Sequence, residues 1–410
     1  MRPSSRWKDM PEPSHFQQEL RAIMAEKRRA GIRVLDLTEG DPVIFGHTNQ
    51  PLSDALIEAA REGLHMYPEQ TPWREELRKA ISSFEKRYRN MDYVPENIII
   101  GPGVAGCFQI LHYSLLEPGD EMIVVEPAHY LTGPTSYWYY FKAKVVTSSC
   151  SEDKDWDPIL EELPSKITEK TKGIVIVNPN NPTGAVYNEK ILKGIVDIAS
   201  EYNILIISDE IYGLITFDGV TSEPTSKLAK DVPVITLGGI SKIFMRPGWR
   251  VGYICIHDPE NKISELSRTI KRVSGLYGHG MTTIPTPILY AATKAFTGSI
   301  EAGLEMAKKL QNRRDYAMKR IEEIEGVTCV KPKGSLYAFP KVEEISKIWK
   351  NDEEFMIELL KEESVLFNPG SGYGPSGCGH FRLLLLPEIN ILEEALTRLE
   401  RFLKRKRISW

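Results

Sequence analysis

The sequence has few cysteines and no arrangement of them that suits a disulfide framework or a structural zinc. Of the 410 residues only five are cysteine, at positions 107, 150, 255, 329 and 378, and no two of these form a Cys-x-x-Cys pair. An odd, scattered set of cysteines is typical of a reducing compartment. The eight histidines form no His-x-x-x-His or similar cluster, so we expect no metal site.

Long apolar runs and a strong charge of one sign are also lacking. No apolar run approaches the ~18–20 residues needed to span a bilayer, and no apolar segment of a secretory signal follows the first eight residues. Lys+Arg 52 against Asp+Glu 56 gives a net charge of -4, which favours neither nucleic acid nor an anionic membrane. We therefore expect a cytoplasmic protein with no nucleic-acid or membrane partner. The basic stretch 401–407 is interpreted as cations at the end of a terminal helix rather than a nucleic-acid tail.

The middle of the chain alternates short apolar runs with helical segments. Continuous rather than alternating apolar strands are typical of a parallel sheet covered on both faces, and strands followed by helices indicate a doubly wound α/β domain. The predicted strands are 98–100, 122–125, 143–146, 173–177, 205–207, 234–237 and 252–256. The predicted helices among them are 105–116, 188–202 and 223–230.

The pattern changes near residue 300, where longer amphipathic helices begin. These are predicted at 300–325, 352–363 and 390–406, with short strands at 336–339 and 381–385, which indicates a smaller α+β unit. The first fifty residues contain one predicted helix, 14–30, and the loop 38–42. A chain of this length, 41% hydrophobic, most often forms one large or two medium domains.

Three short segments in the middle of the chain are the most informative. Asn-Pro-Thr-Gly stands at 181–184 and Ser-Asp-Glu-Ile-Tyr at 208–212, and a Ser-Lys pair at 241–242 is followed by an arginine in a Pro-Gly-Trp-Arg turn at 247–250. In this order and spacing they resemble the class I/II aminotransferases of pyridoxal-phosphate fold type I, and the resemblance extends from Thr38 to Arg382 and beyond.

The resemblance implies a fold and a division of the chain. The expected fold is α/β, with a large domain built on a doubly wound, mostly parallel sheet that binds pyridoxal 5'-phosphate, together with a smaller α+β domain. The large domain would comprise residues 51–299. The small domain would combine residues 1–50 with residues 300–410, because in the resembled family the N-terminal segment packs with the C-terminal part.

Lys242, Asp209 and Tyr212 are the residues that the resemblance implies to be catalytic. Lys242 would form the Schiff base with the cofactor and then act as general base and acid; taken alone it could be an ordinary surface lysine. Asp209 follows the apolar run 204–207, so it should emerge at the carboxyl end of a parallel strand, where ligands bind in open α/β sheets. There it would pair with the pyridine nitrogen, although Asp also caps helices and closes loops.

Other residues would hold the remaining parts of the cofactor. Arg250 offers a fork matched to phosphate oxygens, and Gly103, Val104 and Ala105 open a helix whose amides can receive an anion. The resemblance adds the Ser241 hydroxyl and, from the neighbouring subunit, Tyr67. The full set of implied cofactor-binding residues is Gly103, Val104, Ala105, His129, Tyr130, Asn181, Asp209, Tyr212, Ser241, Lys242, Arg250 and Tyr67.

Two positions in this set depart from the family pattern. The family usually places a serine or threonine three residues before the lysine, where this chain has Gly239. The residue that stacks on the cofactor ring is usually aromatic, and here either His129 or Tyr130 could take that place. Asn181 and Tyr212 match the residues that hydrogen-bond the phenolic oxygen of the cofactor, although Asn-Pro is also ordinary turn chemistry.

The implied substrate-binding residues are Gly40, Asn181 and Arg382. Arg382 matches the arginine that holds the substrate carboxylate bidentately, and an arginine beside the apolar run 383–386 is costly to bury unpaired. A structural ion pair is the alternative explanation for it. Ala105 stands where one aspartate-specific branch has a lysine for the distal carboxylate, which weakens the expectation of an aspartate substrate.

The resemblance implies an aminotransferase that exchanges an amino group between an amino acid and a 2-oxo acid, working as a homodimer because Tyr67 acts across the interface. A pyridoxal-phosphate-dependent C–S lyase of the same fold, acting by β-elimination, would use the same lysine and aspartate and stays open. A non-enzymatic regulator that binds the cofactor is a third alternative. Such regulators carry a DNA-binding domain ahead of the aminotransferase-like part, and fewer than 40 residues precede the Gly40 loop, so we favour it least.

Overall fold

The computed structural model describes residues 13–131, 141–278 and 283–409. Its longer helices are α1 (His15–Arg29), α2 (Gln50–Arg61), α3 (Trp73–Arg89), α4 (Gly103–Leu115), α5 (Glu189–Glu201), α6 (Ser264–Gly278), α7 (Thr286–Thr297), α8 (Glu301–Glu322), α9 (Asp352–Glu363) and α10 (Ile389–Ser409). Shorter helical turns cover Leu163–Lys166, Thr225–Leu228 and Ile345–Ile348. Within these described ranges, no helix is both long enough and apolar enough to cross a membrane.

Fifteen strands are present in the described residues. They are β1 (Leu35–Asp36), β2 (Ile98–Gly101), β3 (Glu121–Glu126), β4 (Lys144–Ser151), β5 (Asp157–Pro158), β6 (Thr171–Val177), β7 (Leu205–Asp209), β8 (Val234–Gly239), β9 (Gly252–His257), β10 (Val327–Thr328), β11 (Tyr337–Ala338), β12 (Lys341–Val342), β13 (Val365–Leu366), β14 (Asn368–Pro369) and β15 (Phe381–Leu384). All seven strands predicted in the middle of the chain are present, with ends that shift by a few residues.

The main sheet has eight strands in the order β2-β9-β8-β7-β6-β3-β4-β5. The five central strands, from β8 to β4, are parallel to one another, whereas β9 and β5 run antiparallel to their neighbours. Helix α5 connects β6 to β7, and the single turn Thr225–Leu228 lies between β7 and β8, as in βαβ units. The predicted α/β fold with a mostly parallel central sheet is confirmed.

Both faces of this sheet are covered, which explains why its strands read as continuous apolar runs. Along β7 the side chain of Ile206 packs into one cluster together with Leu192 and Ile195 of α5. Its neighbour Ile207 points to the opposite face and packs into a second cluster with Phe108 of α4. Because side chains alternate along a strand, consecutive apolar residues are buried on opposite faces.

The two ends of the chain meet away from this sheet. β1 pairs in parallel with β13, so Leu35 lies opposite Val365. Helix α1 begins after a capping box in which Ser14 and Gln17 each bond the backbone amide of the other. In the C-terminal part, β15 lies between β11 and β14 and is antiparallel to both. The predicted helix 352–363 has the same bounds as α9.

Several elements differ from the predictions. The predicted helix 223–230 is a single turn, Thr225–Leu228, and the predicted strand 143–146 is β4, which continues to Ser151. The predictions do not include α2, α3, α6 and α7. These four helices lie outside the region where helices alternate with the strands of the parallel sheet, and that alternation is the pattern from which the helices of the middle region are predicted.

A buried cluster of charged side chains lies beside the end of β7. The guanidinium of Arg89, on α3, is 2.6 Å from the carboxylate of Glu210, and both side chains are almost fully buried. Glu210 also accepts hydrogen bonds from the Ser208 hydroxyl and the Thr225 amide. Close by, Glu85 accepts from the Tyr253 hydroxyl, and burial raises the pKa of Glu85. This cluster fixes the backbone immediately after β7.

We expect Arg89→Met to lower the free energy of unfolding by about 3–5 kcal/mol, because Glu210 would stay buried without its cation. Circular dichroism on heating should show a melting temperature several degrees lower. Lys79→Met is the matched control on the same helix, since Lys79 pairs with Glu76 at an exposed site and its loss should leave the melting temperature nearly unchanged. Equal melting temperatures for the two variants would contradict this account.

Candidate active site

The three informative sequence segments come together at the carboxyl edge of the parallel strands. Asp209 is the last residue of β7 and lies between Val177, at the end of β6, and Leu237 of β8. Asn181 follows β6, and Lys242 stands three residues after the end of β8. In open α/β sheets this edge is where ligands bind. The order of the strands therefore gathers residues that are more than 60 positions apart.

Asp209 is a buried carboxylate, 5% exposed. One carboxylate oxygen, Oδ2, accepts a hydrogen bond of 2.9 Å from the Tyr130 hydroxyl, and the other, Oδ1, accepts from the Ile211 amide at 3.1 Å. Burial raises the pKa of Asp209 to about 6, and the two hydrogen bonds only partly offset that effect. The bond from the Ile211 amide closes a local turn. A turn-closing role therefore accounts for one oxygen of Asp209, but it does not explain why the whole carboxylate is buried.

Lys242 lies beside the loop that contains Gly40. Its Nζ atom donates a hydrogen bond of 2.7 Å to the carbonyl of Gly40, which lies 202 positions earlier in the chain. The same atom lies 5.8 Å from the centre of the Tyr212 ring. The turn after Lys242 is closed by a bond from the Met245 amide to the Lys242 carbonyl. The preceding residue, Ser241, is buried.

Arg250 meets the first turn of α4. Its Nη2 atom donates to the Pro102 carbonyl at 3.4 Å and Nη1 to the Pro247 carbonyl at 2.9 Å. Gly103 has a φ of +74°, and a β-carbon at this position would lie 2.8 Å from Cζ of Arg250. The glycine therefore lets the guanidinium approach the amides of Val104 and Ala105, which begin the helix. A cation and the positive end of a helix dipole together form a cradle suited to an anion.

Arg382 is nearly enclosed by protein, 5% exposed. Its Nη1 atom donates to Oδ1 of Asn181 at 3.1 Å, and Nη2 donates to the Thr38 carbonyl. Within the described residues, its buried Nε has no hydrogen-bond partner and no carboxylate lies within 4 Å of the guanidinium. The described part of the chain thus gives no support to a structural ion pair. A buried guanidinium without a counter-ion is costly, which indicates that it receives an anion.

The structure separates the side chains of His129 and Tyr130. Tyr130 is directed toward Asp209, and its ring packs on Phe108 with 4.1 Å between the centroids. The backbone amide of His129 donates to the Asn181 carbonyl. Burial, with a further contribution from the charges of Arg382 and Lys242, lowers the pKa of His129 to about 3. His129 is therefore a neutral imidazole near the two cations.

Tyr337 is a site residue that the sequence does not reveal. Its hydroxyl lies 3.3 Å from that of Tyr212, and its ring lies 4.2 Å from Cζ of Arg382. A side chain on Gly40 would overlap this hydroxyl. In the sequence Tyr337 is one apolar residue of a short predicted strand, and only the pairing of β11 with β15 places it here.

Tyr67 lies apart from these residues. Its side chain is on the surface, with 76% of its area exposed, just before the short turn Pro68–Gln70. Its chain neighbour Met66 is also exposed, while the Met66 carbonyl accepts a hydrogen bond from Thr286.

We predict that Asp209→Asn stabilises the cofactor-free protein at neutral pH by up to about 3 kcal/mol. The pKa of Asp209 is about 6 in the folded protein against an ordinary value of 3.8, and each unit of difference is worth about 1.4 kcal/mol. Because the folded state binds the proton more tightly, ionisation of Asp209 costs stability as pH rises from about 4 to 6.

The measurement is the melting temperature of both cofactor-free proteins across pH 4 to 8. The advantage of Asp209→Asn should be absent near pH 4, where the carboxyl is protonated in both states, grow between pH 4 and 6, and stay constant above about pH 6. Asp92→Asn is the matched control, because Asp92 forms an exposed ion pair with Lys86 and its loss should give no such profile. A pH-independent difference for Asp209→Asn would contradict the assigned cause.

Comparison with known proteins shows the family. The family model described as aminotransferase class I and II matches residues 32–399. A glutamate-pyruvate aminotransferase of Haemophilus influenzae is 32% identical over 386 residues, which cover 91% of each chain. An aspartate aminotransferase of Bacillus subtilis is 33% identical over 395 residues, covering 93% of this chain and 94% of the relative.

Among solved structures, an alanine aminotransferase from Pyrococcus furiosus superposes with a TM-score of 0.90 and 39% sequence identity, covering 98% of this chain and 100% of that one. An aspartate aminotransferase from Thermotoga maritima gives 0.83 with 29% identity over 98% of this chain and 100% of that one. The predicted resemblance is confirmed: the chain belongs to the class I and II aminotransferases, which use pyridoxal phosphate.

Proposed function

We propose that the cluster at the carboxyl edge of the sheet is the active site of this aminotransferase, which transfers an amino group from an amino acid to a 2-oxo acid. One observation carries the proposal. Two cations without a carboxylate partner in the described residues, Arg382 and Lys242, and one buried acid, Asp209, are gathered around the same edge. The guanidinium of Arg382 and the carboxylate of Asp209 are costly to bury as they stand, and each of the three groups has a natural partner in the cofactor or the substrate.

The residues of this edge fit pyridoxal phosphate. A protonated pyridine nitrogen is the cation that would offset the burial of Asp209, and a phosphate is the anion that the cradle of Arg250 and the amides 103–105 would take. Ser241 would add a hydroxyl to the same group. When bound, the cofactor supplies an electron sink for the electron pair left at the substrate Cα.

The remaining roles follow from where the side chains point. Tyr130 donates to Asp209 and so holds that carboxylate, which leaves the half-buried and neutral His129 as the residue to lie against the cofactor ring. Asn181 and Tyr212 would donate to the phenolic oxygen. Asn181 already touches Arg382, so it would join the cofactor site to the substrate site.

Lys242 is the residue to move the proton. Its Nζ is close to both Gly40 and Tyr212, on the side of the site where Arg382 would hold the substrate. In its neutral form Nζ can accept the proton from the substrate Cα, and it can return a proton when the amino group is transferred. The aldehyde of the cofactor is the group with which this amine would combine at rest.

Arg382 would bind the α-carboxylate of the substrate. Its Nε is buried and without a partner in the described residues. A carboxylate oxygen can therefore accept a hydrogen bond from Nε without displacing the bond to Asn181. The names of the relatives support a substrate pair: a glutamate-pyruvate aminotransferase and alanine aminotransferases are among them. We infer that L-alanine and L-glutamate are amino donors, with pyruvate as the corresponding 2-oxo acid of L-alanine.

Assembly and location complete the proposal. Tyr67, 76% exposed, would reach the phosphate bound by a second copy of the chain, so that the active enzyme is a homodimer.

The pairing of β1 with β13 supports a small domain made of residues 1–50 and 300–410 beside a large domain of residues 51–299. Five free cysteines support the cytoplasm as the compartment.

We expect Arg382→Lys to raise the concentration of L-alanine and L-glutamate needed for half-maximal amino transfer by on the order of 10- to 100-fold. A point charge replaces a planar fork, so one charged hydrogen bond to the carboxylate is lost. The measurement is the change in visible absorbance of the cofactor-loaded enzyme when each amino acid is mixed with it in a single turnover.

Arg320→Lys is the control for this exchange, because Arg320 forms ion pairs with Glu323 and Glu400 outside the site. It should leave both the donor concentration and the cofactor content unchanged. An Arg382→Lys enzyme that reacts at wild-type donor concentrations would remove Arg382 from the substrate site. No reaction of the wild-type enzyme with L-alanine or L-glutamate would overturn the proposed donors.

A further inference from the structure

We propose that Tyr337 is a positioning residue for both halves of this site: its ring aligns the guanidinium of Arg382, and its hydroxyl donates to the hydroxyl of Tyr212. The inference rests on the proposed function, since it assigns a carboxylate to Arg382 and a cofactor oxygen to Tyr212. It goes beyond that function by naming a residue that determines how both groups are presented.

The register of the small sheet places the ring against the guanidinium. Tyr337 lies directly opposite Leu384 in the antiparallel pair of β11 and β15. Arg382 stands two positions before Leu384 on the same strand, so it projects from the same face and is the diagonal neighbour of Tyr337. The ring of an aromatic residue reaches this diagonal position, and the distance from its centre to Cζ of Arg382 is 4.2 Å.

A second ring lies farther from the guanidinium. The centre of the Tyr373 ring is 5.4 Å from Cζ of Arg382. Aromatic faces attract a guanidinium without occupying its N–H groups. Tyr337 can therefore fix the tilt of the fork while the N–H edge stays available for a carboxylate. Among the described residues, hydrogen bonds hold two of its three nitrogens, to Asn181 and Thr38.

The hydroxyl of Tyr337 also has a defined position, set by contacts with Tyr212 and Gly40. It lies 3.3 Å from the hydroxyl of Tyr212, and Tyr337 as a whole is 2% exposed. Gly40 contributes to this placement, because a β-carbon there would overlap the hydroxyl. The carbonyl of Gly40 also accepts the bond from Lys242, so one glycine of the N-terminal segment contacts both the tyrosine and the lysine.

The proposed function decides which of the two hydroxyls donates, since the geometry allows either. Tyr212 has one hydroxyl proton, and it would give this proton to the phenolic oxygen of the cofactor. The oxygen of Tyr212 is then left to accept the hydrogen bond from Tyr337. Burial would raise the pKa of Tyr337, but Arg382 and Lys242 outweigh it and hold the pKa below its ordinary value, which also favours Tyr337 as the donor.

Two substitutions separate the ring from the hydroxyl. Tyr337→Phe keeps the ring, so the binding of 2-methylalanine, an amino acid with no α-hydrogen, should change by less than about twofold. Without its donor, Tyr212 becomes a weaker donor to an anionic oxygen, so the pH midpoint of the cofactor's visible absorbance in the loaded enzyme should move upward. The turnover rate should fall several-fold.

Tyr337→Leu removes the ring as well. It should weaken 2-methylalanine binding to the loaded enzyme by about tenfold, measured by calorimetry, because the fork of Arg382 loses its alignment. If Tyr337→Leu does not fold, Tyr337→Met serves the same purpose with an unbranched side chain. Tyr93→Phe is the matched control: this tyrosine is equally buried and its hydroxyl bonds Ser226, so both measurements should match the wild type.

The outcomes distinguish this inference from the proposed function. If the wild-type enzyme binds 2-methylalanine and Arg382→Lys binds it on the order of 10- to 100-fold more weakly, the substrate site stands. In that case, wild-type binding by Tyr337→Leu would overturn the role of the ring, and an unchanged pH midpoint in Tyr337→Phe would overturn the role of the hydroxyl. Failure of the wild-type enzyme to bind 2-methylalanine would instead count against the proposed function.

Discussion

The burial of one carboxylate is the constraint on which the rest of the site depends. Asp209 ends a strand in the middle of a sheet that is covered on both faces, so its charge is far from water. Among the described residues, its hydrogen-bond donors are one tyrosine hydroxyl and one amide, and burial keeps the pKa near 6. We propose that a residue so costly to stability serves the chemistry of the site, and a cation on a bound cofactor is the partner that would make its burial favourable.

The cations of the site, like Asp209, lack a partner of opposite charge in the described residues. Arg382 and Lys242 both donate to carbonyls of the loop at Thr38 and Gly40, which are weak substitutes for an anion. These contacts join residues separated by 344 and 202 positions. The site therefore forms only when the loop at Thr38 and Gly40 has packed against residues far along the chain. Glycine at position 40 is required because the Tyr337 hydroxyl fills the space beside it.

The sequence predicts the sheet and most of the site because both depend on local patterns. Continuous apolar runs locate β6, β7 and β8, and Asn181, Asp209 and Lys242 lie at or a few residues after the ends of these strands. Tyr337 is not predicted, since its place depends on the register of two-residue strands that no local pattern fixes. The roles of His129 and Tyr130 are likewise undecided in the sequence, because the choice depends on which of two adjacent side chains turns toward Asp209.

The central claim is that Lys242 is the lysine that meets the cofactor at this edge. The direct measurement is reduction of the cofactor-loaded enzyme with borohydride, followed by digestion and mass spectrometry of the labelled peptide. The account predicts one labelled residue, Lys242, and no label in Lys242→Ala treated in the same way. A label on any other lysine of the wild-type protein would contradict it.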